Sequence, residues 1–149
     1  MRVEERISVD PEPDMVALFE KASNYVWMSS ALYPAFYDRE NVRQAFRSSA
    51  ERVNVFDLLL GANVDWDQRK LQLPWLAELV SCGRIKARKS NARIPHWLVI
   101  DGKHFRLEKK HHEDVFETSN LIVWSADKPI ADMLQERFIR WWRNASPID

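Results

Sequence analysis

Arg93 to His112 reads RIPHWLVIDGKHFRLEKKHH. Two extended segments, Pro95 to Ile100 and Lys103 to Lys109, flank Asp101-Gly102, and an Asp-Gly pair between alternating apolar residues is a strong hairpin signal. A two-residue loop places Ile100 opposite Lys103, Leu98 opposite Phe105 and His96 opposite Leu107, so those six share one face. Trp97, Val99, His104, Arg106 and Glu108 then share the other. On that pairing the Arg106 guanidinium lies over the Trp97 indole, with Glu108 in a solvated ion pair.

All four histidines, His96, His104, His111 and His112, fall in or just after this hairpin. Imidazole titrates near neutral pH, so confinement of every copy to one stretch marks a candidate site. A metal centre is not expected. Adjacent His111 and His112 do not form a ligand spacing, and neither do His96 and His104 on opposite hairpin faces. No Cys or carboxylate cluster completes a tetrahedron. No other cofactor is indicated.

Working outward, the flanking sequence is basic. From Arg84 to His112 stand Arg84, Lys86, Arg88, Lys89, Arg93, Lys103, Arg106, Lys109 and Lys110, against only Asp101 and Glu108. The whole chain balances 22 basic with 22 acidic residues, so any anion attraction is local rather than a property of the molecular field. The 149 residues fit one domain, 1–149, able to bury roughly 70% of its unfolded surface. The single Cys82 cannot form an internal disulfide, and its apolar neighbourhood suggests a buried, inert thiol in a reducing cytoplasm. No run approaches the ~20 apolar residues that span a bilayer, and no leader-like apolar core opens the chain.

Periodicity supplies the remaining elements. Val3 to Val9 reads as a short strand. Pro11 and Pro13 open a helix with Met15, Leu18, Phe19 and Ala22 at helical spacing, ending near Ser23. Tyr25 to Ser29 is a buried strand and Ser30 to Tyr37 a loop. Asp38 caps a helix bearing Val42, Ala45, Phe46 and Ser49, which runs to about Arg52. Val53 to Leu60 is a nearly continuous apolar run, as in strands covered on both faces of a parallel sheet. Asn63 to Lys70 reads as a surface loop. Pro74 and Gly83 bound a third helix carrying Trp75, Leu76, Leu79 and Val80. Arg84 to Lys89 alternates like a half-exposed strand. Beyond the hairpin come a polar connection, Glu113 to Thr118, and a strand, Asn120 to Ser125. A last helix runs from Asp127 to about Asn144, with Ile130, Met133, Leu134, Phe138 and Trp141 on its stripe. The order gives an α/β fold, a mixed β-sheet sandwiched between helix layers.

The strand ending Ile100-Asp101-Gly102, the later strand SNLIVW and the closing helix PIADMLQERFIRWW resemble one half of a phospholipase D-like domain, over nearly the whole chain. That family's motif is HxKxxxxD, followed by a Gly-Ser step and an Asn. Its chemistry is phosphodiester cleavage through a phosphohistidine, with a second motif supplying the acid. Aligned on Asp101, the resemblance puts Ile94 at the nucleophilic histidine, His96 at the lysine, Glu108 and Lys109 at the Gly-Ser step and His112 at the asparagine. Aligned on His96, it puts Leu98 at the lysine and Lys103 at the aspartate. Neither register restores a catalytic set.

The resemblance therefore implies a non-catalytic module that binds a phosphate-bearing ligand or serves as a regulatory or dimerisation domain. The ligand, a phosphorylated small molecule or nucleic-acid backbone, would sit around His96, Lys109 and His112, with Arg106 and Glu108 as further candidates. The alternative is a divergent phosphodiesterase or nuclease using His96, His111 or His112. Family members with one motif per chain pair two chains around one cleft, so a homodimer is implied as well.

Overall fold

The computed structural model describes residues 1–109 and 119–148. The run Val55–Leu60 forms strand β3, and its neighbours explain why it is almost wholly apolar. It runs parallel to β2 (Tyr25–Ser30) on one side and to β4 (Lys86–Lys89) on the other. Helices α2 (Pro34–Tyr37) and α3 (Glu40–Arg52) connect β2 to β3, and α4 (Trp66–Gln72) and α5 (Pro74–Ser81) connect β3 to β4. The chain enters through β1 (Arg2–Ile7) and α1 (Glu12–Lys21). It leaves through β5 (Trp97–Ile100), β6 (His104–Glu108), β7 (Ser119–Trp124), α6 (Lys128–Arg143) and β8 (Ser146–Pro147). The eight strands make one sheet in the order β1-β7-β6-β5-β2-β3-β4-β8.

The two faces of the sheet carry separate cores. On one, Val26, Met28, Phe56, Leu58, Leu60, Leu98, Ile100 and Ile122 pack with Met15, Leu18 and Phe19 of α1 and Val42, Ala45 and Phe46 of α3. On the other, Leu59, Trp97, Val99, Phe105 and Val123 meet Ala131, Leu134 and Phe138 of α6. This is the expected mixed sheet between helix layers.

Several local expectations change. The loop expected over 30–37 contains α2, and the loop expected over 63–70 contains the start of α4, whose Asp65 accepts a hydrogen bond from the Gln68 N–H at 3.2 Å. That cap, with burial of Trp66, outweighs the polar composition. Asp38 does not cap α3; the N-cap is Arg39, and the Asp38 carboxylate accepts from Arg43. Met133 is exposed rather than on the buried stripe, because Ala131, Leu134 and Phe138 define the contact. Cys82 is exposed, placed at the open end of α5 where the chain turns at Gly83.

The main correction concerns the hairpin. Asp101 and Gly102 do turn the chain, with φ of 55° and 65°, and the Lys103 N–H donates to the Ile100 carbonyl at 2.9 Å. Pairing then resumes one residue late: Ile100 with His104, Val99 with Phe105, Leu98 with Arg106 and Trp97 with Leu107. Lys103 is the extra residue, and its carbonyl is committed to the Ala126 N–H at 2.9 Å. A slip of one residue exchanges the faces of an entire strand. Phe105 and Leu107 consequently join Trp97 under α6, while His104, Arg106 and Glu108 join His96, Leu98 and Ile100.

Candidate functional site

The strand registers align a polar row at the carboxyl ends of β2 and β3. Glu108 pairs with Asn120, and the Glu108 N–H donates to the His96 carbonyl at 3.2 Å. Continuing the β2–β5 register, in which Met28 faces Leu98, brings Ser30 level with His96. Ser30, His96, Glu108 and Asn120 thus lie side by side on one face. One pleat deeper the row is Met28, Leu98, Arg106 and Ile122, apolar except for the arginine.

This end of the sheet opens into a cavity of about 870 Å³. Ser30, Tyr37, His96, Arg106, Glu108 and Asn120 line its polar side. Such placement, beyond the carboxyl ends of parallel strands where the connections diverge, is where open α/β sheets commonly bind ligands. The Ser29 hydroxyl pins the approach to β5 by donating to the Pro95 carbonyl at 2.7 Å and accepting from the Trp97 N–H at 2.8 Å.

His96 and Glu108 form a pair. Nδ1 of His96 lies 2.9 Å from Glu108 Oε2, and the His96 backbone N–H donates to the same oxygen at 3.0 Å. Two contacts fix the imidazole orientation and leave Nε2 as the nitrogen available to a ligand. Tyr37 reaches the cavity from α2, and its hydroxyl accepts from Ser30 Oγ at 3.2 Å. Burial pushes the Tyr37 phenol up from its ordinary value, so it keeps its own proton to donate.

Arg106 is electrostatically exceptional. Burial pulls its pKa below the ordinary guanidinium value, opposed by Tyr37, Glu108 and Asp14 in its surroundings. The group stays charged, since arginine does not deprotonate in proteins. Among the described residues, none accepts a hydrogen bond from it and no carboxylate lies within ion-pair distance. Asn120 Oδ1, in the neighbouring row, is fully buried and has no hydrogen-bond partner among the described residues.

The expected site residues divide accordingly. His96 lines the cavity. Arg106 and Glu108 join it, contrary to the two-residue pairing, and Arg106 does not cover Trp97, whose ring instead meets Trp141 at 4.7 Å. Lys109 lines the cavity, with its Nζ 2.7 Å from Glu5 Oε1. His104 shares the His96 face rather than the opposite one, yet it sits at the far end of β6, accepting from the Ser125 N–H at 3.0 Å and lying beside the Trp124 ring. His111 and His112 lie outside the described residues. Ser30, Tyr37 and Asn120 do not stand out in the sequence: Ser30 and Asn120 become level with His96 only through the register of β2, β5, β6 and β7, and Tyr37 comes from α2. Among the described residues no group of three His, Cys, Asp or Glu could hold a metal.

No protein-family model matches the chain, and no curated protein does. Solved structures match by fold. TrmBL2, an archaeal chromatin protein with a novel mode of DNA binding, superposes with a TM-score of 0.76 at 14% identity over 99% of this chain. The present chain spans only 55% of TrmBL2. Nuc from Salmonella typhimurium, a phospholipase D family member, gives 0.72 at 11% identity, covering 99% of this chain and 97% of Nuc. NucT from Helicobacter pylori gives 0.69 at 11%, with 99% of both chains covered. The strand order, the helix layers and these superpositions together show that the chain has the phospholipase D-like fold.

Proposed function

We propose that the cavity binds a phosphate-bearing ligand without turning it over, the ligand taking the guanidinium of Arg106 as its principal contact. The observation that carries this reading is a half-buried guanidinium with no acceptor among the described residues, lining a cavity large enough for a small molecule. A phosphate oxygen supplies the missing acceptor. Tyr37 and His96 Nε2 add further polar contacts, and His112, Lys109 and Glu108 complete the proposed set. Ile94, which the resemblance aligns with the nucleophilic histidine, also lines the cavity and cannot be phosphorylated. The fold likeness to a DNA-binding chromatin protein and a phospholipase D family member is consistent with phosphate or nucleic-acid ligands. A two-fold dimer joining the His96 regions belongs to the same reading, and sedimentation at twice 17.6 kDa is its expected signature.

A second reading rests on the His96–Glu108 pair. A carboxylate that orients an imidazole through Nδ1 leaves Nε2 placed as a nucleophile or base, so the pair also suits a divergent phosphodiesterase. Calorimetric titration with inorganic phosphate, together with turnover of bis(4-nitrophenyl) phosphate, separates the two. Saturable binding without turnover supports the binding module. Turnover abolished by His96→Ala or His112→Ala, but retained in His104→Ala, establishes the phosphodiesterase. No binding and no turnover refutes both.

A further inference from the structure

The lining of the cavity also includes apolar and aromatic groups, among them Met15, Tyr33, Phe36 and Val64. Tyr33 is 59% exposed, which is unusual for an aromatic side chain that the backbone holds so firmly. Its neighbour Leu32 is fully buried, adopts φ of 54° and donates its N–H to Ser30 Oγ at 2.9 Å. On the other flank, Arg69 Nε donates to the Ala31 carbonyl at 3.0 Å. The same arginine places its guanidinium 5.9 Å from the centre of the Tyr33 ring. Arg39 stands likewise over Phe36, at 5.1 Å. The cavity lining therefore includes a firmly mounted tyrosine backed by a cation, with its remaining surface open.

We propose that the ligand is a nucleotide, its phosphate at Arg106 and its planar base stacked on Tyr33. This rests on the phosphate-binding reading above and adds the chemistry of the group the phosphate carries. A base has a polarisable face that an aromatic ring and a flanking guanidinium both recognise, whereas an alkyl chain gains only from burial. A free mononucleotide and the phosphorylated end of a single strand present the same chemistry.

The test compares inorganic phosphate, ribose 5-phosphate, hexyl phosphate, adenosine 5′-monophosphate and a 5′-phosphorylated single-stranded oligonucleotide by calorimetry on the full chain. Adenosine 5′-monophosphate is expected to bind at least about tenfold tighter than ribose 5-phosphate, the scale of base–aromatic stacking. Tyr33→Ala should remove that advantage and Tyr33→Phe should keep it. Equal or better binding of the oligonucleotide supports the strand-end source; weaker binding supports the free nucleotide. The inference is overturned if adenosine and ribose phosphates bind alike, if hexyl phosphate gains as much, or if Tyr33→Ala leaves the advantage in place. Failure of inorganic phosphate itself to bind the unmodified protein would instead refute the anion site at Arg106.

Discussion

Arg106 keeps a charge in an apolar row between Leu98 and Ile122, and in the absence of ligand that placement costs stability. Arg106→Met should therefore raise the unfolding free energy of the ligand-free protein by about 1 kcal/mol, seen as a higher urea midpoint, while abolishing phosphate binding. A lower midpoint would show that the guanidinium is satisfied internally. His104 gives a residue-scale pH effect of opposite origin. Burial, then the charges of Lys21 and Lys103, pull its pKa below the ordinary 6.5, against the raising influence of Asp101. Its neutral Nδ1 accepts from Ser125, and protonation ends that bond. A depressed imidazole pKa stabilises the fold above the unfolded value near 6.5, and the contribution is lost as pH falls through the folded value. The effect should be at most about 0.5 kcal/mol because the ring is only half-buried and solvent screens part of it. Denaturant midpoints at pH 7.5 and 5, compared between the protein and His104→Phe, measure it as a difference in pH slope.

At the scale of elements, the β5–β6 turn is where the site is decided. Burial alone would raise the Asp101 carboxyl, but the N–H groups of Tyr25, Asn24 and Ser23, at 2.9, 2.7 and 3.0 Å, outweigh it and hold it below the ordinary carboxylate value. These bonds clamp the hairpin tip to the start of β2, which places His96 and Ser30 at one level. Gly102 completes the clamp at φ of 65°, where a Cβ would approach the Tyr25 hydroxyl to 2.2 Å and Gln135 Oε1 to 2.6 Å. That hydroxyl is hydrogen-bonded to Gln135 at 2.6 Å, tying β2 to α6. Gly102→Ala should destabilise by about 2 kcal/mol or more, from left-handed backbone strain and the broken Tyr25–Gln135 contact. Chemical denaturation reads this directly, and an unchanged midpoint would mean that the turn relaxes without cost.

For the whole molecule, balanced charge supplies no long-range field, so recognition of the proposed ligand would rest on the cavity. Among the described residues no helix is long and apolar enough to cross a membrane. Binding in the cavity joins groups from β2, α2, β5, β6 and β7, so an occupied site should stabilise the whole cooperative unit. Phosphate at about 100 times its dissociation constant should add about 2.7 kcal/mol and raise the melting temperature by about 5–10 °C. Arg106→Met should show no such rise. A phosphate-dependent shift of equal size in both proteins would place the anion elsewhere.

What the amino-acid order determined by itself was local. The spacing of Val42, Ala45, Phe46 and Ser49 specified α3, the run ending Asp57-Leu58-Leu59-Leu60 specified a strand buried on both faces, and Asp101-Gly102 specified a turn. Each depends on side chains a few residues apart. The face on which Arg106 and Glu108 lie depends instead on pairing between strands, and that was set by hydrogen bonds that the Asp101 carboxylate accepts from residues 76 to 78 positions away and by the Lys103 carbonyl accepting from Ala126. Alternation along β6 was legible, but its phase relative to β5 was not, because one extra residue in the loop reverses it without altering either strand's pattern. Asn120 and Tyr37 entered the site for the same reason: only the assembled sheet and its overlying helix bring them beside His96.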